Sequence, residues 1–197
     1  MGGFRIVTTR VVAVLATGLL LVSSHNWPEG GVLDVVLELA GMVLIVLGTF
    51  GRLWCTLFIA GYKTKQLITV GPFSVVRNPL YLFSFIAAMG VAMCAEMVTF
   101  MLLVALLFAI YYPTVILLEE QKLRALHGPE FDEYCRRVPR MFPKLSLYQE
   151  PEIYQFSPRL FRKAFWDGIW FILVFPALEI IERLHELGWL PVFLKLY

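Results

Sequence analysis

Apolar positions along the chain fall in long blocks, and the polar positions gather in the gaps between them. The blocks run from Ile6 to Val22, Val32 to Phe50 and on to Ala60, Leu80 to Ala95, Met97 to Leu118, and Phe165 to about Ile181. Each approaches the ~20 residues that a helix needs to cross a bilayer. The pattern predicts an all-α fold, a polytopic membrane helical bundle of about five transmembrane helices. Glu96-Met97 reads as a tight turn, so the third and fourth spans form a helical hairpin. The first block carries two readings, since Arg5 and Arg10 ahead of an apolar stretch ending near Ser23-Ser24 also describe the start of a secretory signal. A retained helix is favoured, because no A-x-A-like pattern of small residues is present and four later spans need no removable signal.

Composition agrees with the blocks. The 197 residues are 59% apolar and 16% charged, and the mean hydropathy is +0.73, away from the roughly 45–50% apolar and 25% charged content of soluble domains. The cations set an orientation. Arg5 and Arg10, then Arg52, Lys63, Lys65 and Arg77, then Lys122, Arg124, Arg136, Arg137, Arg140, Lys144, Arg159, Arg162 and Lys163 all fall on one side if each block crosses once. By the positive-inside rule that side is cytoplasmic. The segment Ser23 to Gly31, the Cys94 to Met97 turn and the C-terminal tail then face the opposite side. A net charge of +2 gives no reason to expect nucleic acid; the basic residues serve topology and contact with anionic membrane lipids. Cys55, Cys94 and Cys135 are dispersed, as are His25, His127 and His185, so no metal site is expected. The C-terminal Leu194-Lys195-Leu196-Tyr197 is not a prenylation box.

Two polar clusters interrupt the apolar pattern at that side. The first is Gly71-Pro72-Phe73-Ser74-Val75-Val76-Arg77-Asn78-Pro79-Leu80-Tyr81. Asn78 suits an N-cap and Pro79 the first helical position, which starts the third span here. A helix N-terminus at the interface favours an anionic group, Arg77 adds a forked cation, and Tyr81 offers a π face to a cationic ligand centre. Cap, snorkelling anchor and interfacial aromatic form the simpler account of the same residues.

The second cluster is Glu119-Glu120, where the fourth span leaves the membrane and continues to a stop at Gly128, with Pro129 opening a second short helix. Neighbouring helical residues diverge by about 100°, so the two carboxylates do not face one point. Glu120 and Arg124 have the i,i+4 spacing of a surface pair. Glu119 lacks a basic i+4 partner and is expected to face inward. Asp132 with Arg136 and Glu133 with Arg137 repeat the surface pairing, and Pro139 and Pro143 end the segment.

Taken together, the two clusters resemble the integral-membrane isoprenylcysteine carboxyl methyltransferase and phospholipid methyltransferase families. The family pattern is G-P-Y-x-x-x-R-H-P-x-Y, an apolar hairpin, E-E, F-G-x-x-Y-x-x-Y and a short P-R-x-x-P-like ending. Here it appears as Gly71-Pro72-Phe73, Arg77-Asn78-Pro79-Leu80-Tyr81, Glu119-Glu120, His127-Gly128, Phe131, Tyr134 and Val138-Pro139-Arg140-Met141-Phe142-Pro143, with Arg52-Leu53-Trp54 as a further shared feature. The match runs from about Leu44 to Lys144. It divides the chain into an N-terminal transmembrane region (1–43), a methyltransferase core with its hairpin (44–144) and a C-terminal interfacial segment with the last span (145–197).

The resemblance implies S-adenosylmethionine as cofactor, bound at the cytoplasmic side by Asn78, Pro79, Tyr81, Glu119, Glu120 and Tyr134, with Arg77, Glu119 and Arg140 as catalytic candidates. The expected acceptor is lipidic, foremost the carboxylate of a prenylated cysteine or similar isoprenoid acid, with a phospholipid amine as the alternative. Asn78 stands where the family has histidine; an amide donates hydrogen bonds but takes no proton at neutral pH. Phe83 stands where a glycine often follows the tyrosine, and is expected to narrow the cofactor cleft or alter lipid access. A non-catalytic membrane scaffold is a competing reading. A nicotinamide-dependent reductase is another, without a Gly-rich fingerprint to support it. Beyond Lys144, Tyr148, Ile153, Tyr154, Phe156, Leu160 and Phe161 among Arg159, Arg162 and Lys163 predict an interfacial stretch. The last span reads as a packing element or the contact of a homodimer, in preference to a substrate gate, with Asp167 and Glu179 facing protein or the interface and Pro176 kinking the helix.

Overall fold

The computed structural model describes residues 18–19, 21–25, 31–62 and 66–196, so the first expected span lies almost wholly outside the described residues. The elements in chain order are β1 (Ser23–His25), α1 (Val32–Ile59), α2 (Pro72–Val75), α3 (Pro79–Cys94), α4 (Val98–His127), α5 (Pro129–Arg137), α6 (Pro158–Glu186) and β2 (Leu194–Leu196), with a 3-10 turn at Leu145–Leu147. The architecture is a helical bundle, with α1, α4 and α6 long and apolar enough to cross a membrane. Pro113 and Pro176 lie inside continuous helices.

The four long helices run up and down. Glu96, in a left-handed backbone conformation (φ 55°), turns the chain between α3 and α4, as the hairpin reading requires. The 30 residues of α4 extend over about 45 Å, well beyond a hydrocarbon core of ~30 Å. Its charged C-terminal turns therefore stand outside. In contrast, the 16 residues of α3 span only about 24 Å.

The central contact is α1 against α3. Gly41, Ile45, Gly48 and Cys55 are buried along one side of α1, facing Ala87, Gly90 and Cys94 of α3. In a lipid solvent, helices gain little from hiding apolar side chains from one another, so close backbone approach by small residues supplies the packing. A Cβ on Gly48 would lie 2.5 Å from the Ala87 nitrogen, and one on Gly90 would lie 2.6 Å from the Gly41 carbonyl oxygen. Further along the same seam the Phe83 ring occupies the space that a side chain at Gly51 would take. Phe83 thus fills a notch between helices.

At one end of the bundle, the core of Ile45, Cys94, Met97, Phe100 and Leu178 is covered by Leu196. There β1 and β2 pair in parallel, Ser23 opposite Leu194 and His25 opposite Leu196. This pair departs from an all-helical reading; three residues are too few to show strand alternation. At the other end a smaller core of Phe131, Tyr134 and Val138 closes against Leu67 and Leu123.

The seam predicts that Gly48→Leu costs at least the ~1–3 kcal/mol typical of overpacking. In detergent, its melting temperature should fall by several degrees or the protein should lose its monodisperse elution. Leu47→Ala, at a half-exposed lipid-facing position, should stay within about 0.5 kcal/mol of the parent in the same melting assay.

Candidate functional site

Backbone hydrogen bonds hold the loop before α3 in place. The Gly71 N–H donates to the Gln149 carbonyl (2.7 Å), Arg77 N–H to Pro139 O (2.9 Å) and Lys144 N–H to Val75 O (3.0 Å). Ser74 joins the same seam, its hydroxyl donating to Gly71 O (2.7 Å) and accepting from the Gln149 N–H (2.9 Å). Gly71 has φ 59°, and the Phe58 ring fills the position of a side chain there. Glycine is required on both counts. From the far side, Tyr134 of α5 donates to Phe73 O at 2.7 Å. Burial is the main cause that pushes its phenol pKa up, with the Arg77 charge pulling the other way. Tyr134 therefore stays a neutral donor, supporting the loop from beneath.

Onto this frame the chain brings Glu120. Its carboxylate is buried, with side-chain exposure of 8%, and accepts from Arg140 Nε (3.2 Å) and Nη2 (2.7 Å) in a two-pronged pair. Arg77 Nη1 lies 3.5 Å from the same carboxylate and 2.6 Å from the Cys135 sulfur. Asn78 Nδ2 donates to Glu120 Oε1 and to Arg140 O, both at 3.4 Å. The expected surface pair of Glu120 with Arg124 is not formed. Arg124 instead bonds Asp132 at 2.7 Å; two guanidiniums from outside the helix supply Glu120 with better partners than its own i+4 neighbour. The Asn78 side chain likewise makes no cap hydrogen bond to α3, because it is turned toward Glu120.

Glu119, the preceding residue of α4, meets α3 at a different place. It accepts from the Tyr81 hydroxyl at 2.5 Å, and Tyr81 packs edge-on to Tyr112 with centroids 5.2 Å apart. Tyr112 in turn stacks on Phe108 at 4.0 Å. Both carboxylates of the pair thus reach α3, each at its own residue. Pro79 is fully buried at the first position of α3, where its fixed backbone angle suits a helix start. Sequence spacing pointed to Arg77, Asn78, Tyr81, Glu119, Glu120 and Arg140 without showing their connections; Cys135 and the Tyr112–Phe108 stack were not anticipated.

The site has polar capacity to spare. Arg77 Nε is buried without a hydrogen-bond partner among the described residues, while Arg140 is about half exposed. These forked donors suit an incoming carboxylate. The Tyr81 and Tyr112 rings suit a cationic centre. At the far end, Asp34, Glu38, Glu96, Glu179, Glu182, Glu186 and Arg183 line a separate polar cavity of about 200 Å³. Among the described residues no group of His, Cys, Asp and Glu side chains is arranged to hold a metal ion.

Residues 32–130, which contain α1, the loop, α3 and α4 with both polar clusters, match the family described as phospholipid methyltransferase. The chain is also 35% identical over 196 residues to the nickel-cobalt-cadmium resistance protein NccN of Alcaligenes xylosoxydans xylosoxydans, covering 89% of that protein. It is 36% identical over 184 residues to the cobalt-zinc-cadmium resistance protein CzcN of Cupriavidus metallidurans, covering 84% of it. No solved structure matches. With the family match spanning half of the chain and containing both polar clusters, this protein belongs to the phospholipid methyltransferase family.

Proposed function

We propose that this protein is an S-adenosylmethionine-dependent methyltransferase acting on a lipidic acceptor in the membrane. Foremost among acceptors is a carboxylate of the prenylated-cysteine or isoprenoid-acid type. The observation that carries the reading is the joining of the two polar clusters at the end of an apolar hairpin, with an orphan donor on Arg77 and an aromatic face on Tyr81. Arg77 and Arg140 would hold the cofactor's carboxylate, Glu119 and Asn78 its other polar groups, and Tyr81 with Tyr112 would flank its sulfonium. When bound, the cofactor supplies an electrophilic methyl group. The membrane-facing hairpin leaves the acceptor to approach from lipid while the loops face the cytosol.

A carboxylate acceptor is already ionised near neutral pH and needs no base. The chain's task is then orientation, together with a water-poor setting in which two opposite charges are neutralised. The occupation of Glu120 by Arg140, Arg77 and Asn78 supports this choice, because a carboxylate so engaged is poorly placed to take a proton. The family description favours a second reading, a phospholipid amine. Glu119 beside Tyr81 would serve as its base. The names of the two relatives concern metal resistance. Conversion of a membrane acid to its ester removes an anionic ligand for divalent cations, which would connect such an activity to metal tolerance.

Calorimetry on purified protein should detect S-adenosylmethionine binding, and Tyr81→Phe should weaken it about 3–10-fold. Absence of heat in both detergent and lipid overturns the proposal. Glu120→Ala should be more damaging, since it strands Arg77; a loss of about 3 kcal/mol in stability is expected from the removal of one partner from a buried pair, read by thermal melting. The pH profile separates the acceptors. Turnover with an acid, ionised above about pH 5, should be flat from about pH 6 to 8.5, whereas an amine acceptor should give a rate that climbs with pH until its ammonium has lost its proton.

A further inference from the structure

Arg52 is a charge placed inside the bundle. It lies seven residues before the end of α1 at Ile59, about 10 Å below that end. Its Nη1 donates to the Ser84 hydroxyl of α3, which is itself oriented by donating to Leu80 O at 2.6 Å. The guanidinium carbon sits 5.5 Å from the centroid of the Phe171 ring of α6. No carboxylate lies within salt-bridge distance of Arg52 among the described residues; Asp167 of α6 acts on it only from farther away, as does Tyr112 of α4. One turn earlier on α1, on the same side, Thr49 is 2% exposed and its hydroxyl has no hydrogen-bond partner among the described residues.

A permanent cation at membrane depth needs an anionic partner, and side chains that hold it in place without neutralising it leave that partner to come from elsewhere. The surroundings select its form. Arg52 is partly accessible, bordered by α3 and α6 rather than by the polar loops, so an anion reaching it travels with an apolar tail.

We propose that Arg52, fixed by Ser84 and Phe171, is the binding residue for the anionic group of a single-tailed or lipid amphiphile, a carboxylate or phosphate, that enters between the helices. Identification of that amphiphile with the methyl acceptor rests on the methyltransferase reading; the binding itself does not. Arg52 is thus a specificity-determining residue on the membrane side, separate from the arginines at the cofactor end.

The test is native mass spectrometry of the full-length protein in neutral detergent, without cofactor. The probes are dodecyl phosphate and dodecanoate, with dodecanol as the uncharged control and inorganic phosphate and acetate as tail-free anions. Saturable binding of the two anionic amphiphiles is expected, weakened about tenfold or more in Arg52→Gln, with S-adenosylmethionine binding within about twofold of the parent. Equal binding in Arg52→Gln, equal binding of dodecanol, or equal binding of the tail-free anions overturns the inference. Should Arg52→Gln lose its monodisperse elution, Arg52→Lys decides: it keeps the charge without the fork, and several-fold weaker anion binding supports the inference while unchanged binding overturns it. Anion binding by a protein that shows no calorimetric S-adenosylmethionine binding would overturn the enzymatic reading and leave the Arg52 site standing.

Discussion

Glu120 is the group on which the working end of this protein depends. A carboxylate withdrawn from water is costly unless it is paired and hydrogen-bonded, and here the partners reach Glu120 of α4 from two other places in the chain: Arg77 and Asn78 ahead of α3, and Arg140 after α5. Satisfaction of that one charge fixes where the loop, the hairpin and the segment after α5 meet. The backbone seam from Gly71 to Gln149 and the Tyr134 bond to Phe73 then hold the same arrangement from outside. Such a hub leaves little freedom to the residues around it.

The bundle and the hub make opposite demands on side-chain size. Along α1 and α3 the helices meet because Gly41, Gly48, Ala87 and Gly90 withhold bulk; at the loops, long arginine and glutamate side chains reach across gaps. Phe83 belongs to the first kind of contact. The sequence alone suggested that it narrows the cofactor cleft or alters lipid access; in the structure Gly51 provides a notch for its ring within the helix seam. The large residue at 83 is thus matched by a small residue on the facing helix.

Much of the fold could be read from the chain because its signals are local. Apolar blocks of spanning length, Asn78-Pro79 at a helix start and Gly128-Pro129 at a stop each act within a few residues, and the helices begin and end close to those marks. The site residues were legible as types at recognisable spacings. Their pairing was not, because local reasoning gave Glu120 to Arg124 and Asn78 to its own helix, whereas the actual partners are set by tertiary approach. The β1–β2 pair was equally hidden, since two three-residue segments at distant positions carry no periodic signal. Arg52 was visible as a topology charge and as part of the shared Arg52-Leu53-Trp54 feature, but its partners Ser84 and Phe171 come from other helices and were not.

The shortness of α3 acts on the bilayer as well as on the protein. A helix of about 24 Å beside longer ones mismatches a hydrocarbon layer of ~30 Å, and lipid accommodates a short span by local thinning. Thinning of this kind at the end where α3 begins, at Pro79 and Tyr81, would be the one that bears on the site. Headgroups there would be drawn toward the depth of Arg52, so that the deformation of the membrane shortens the distance a polar lipid must be lifted to meet the site.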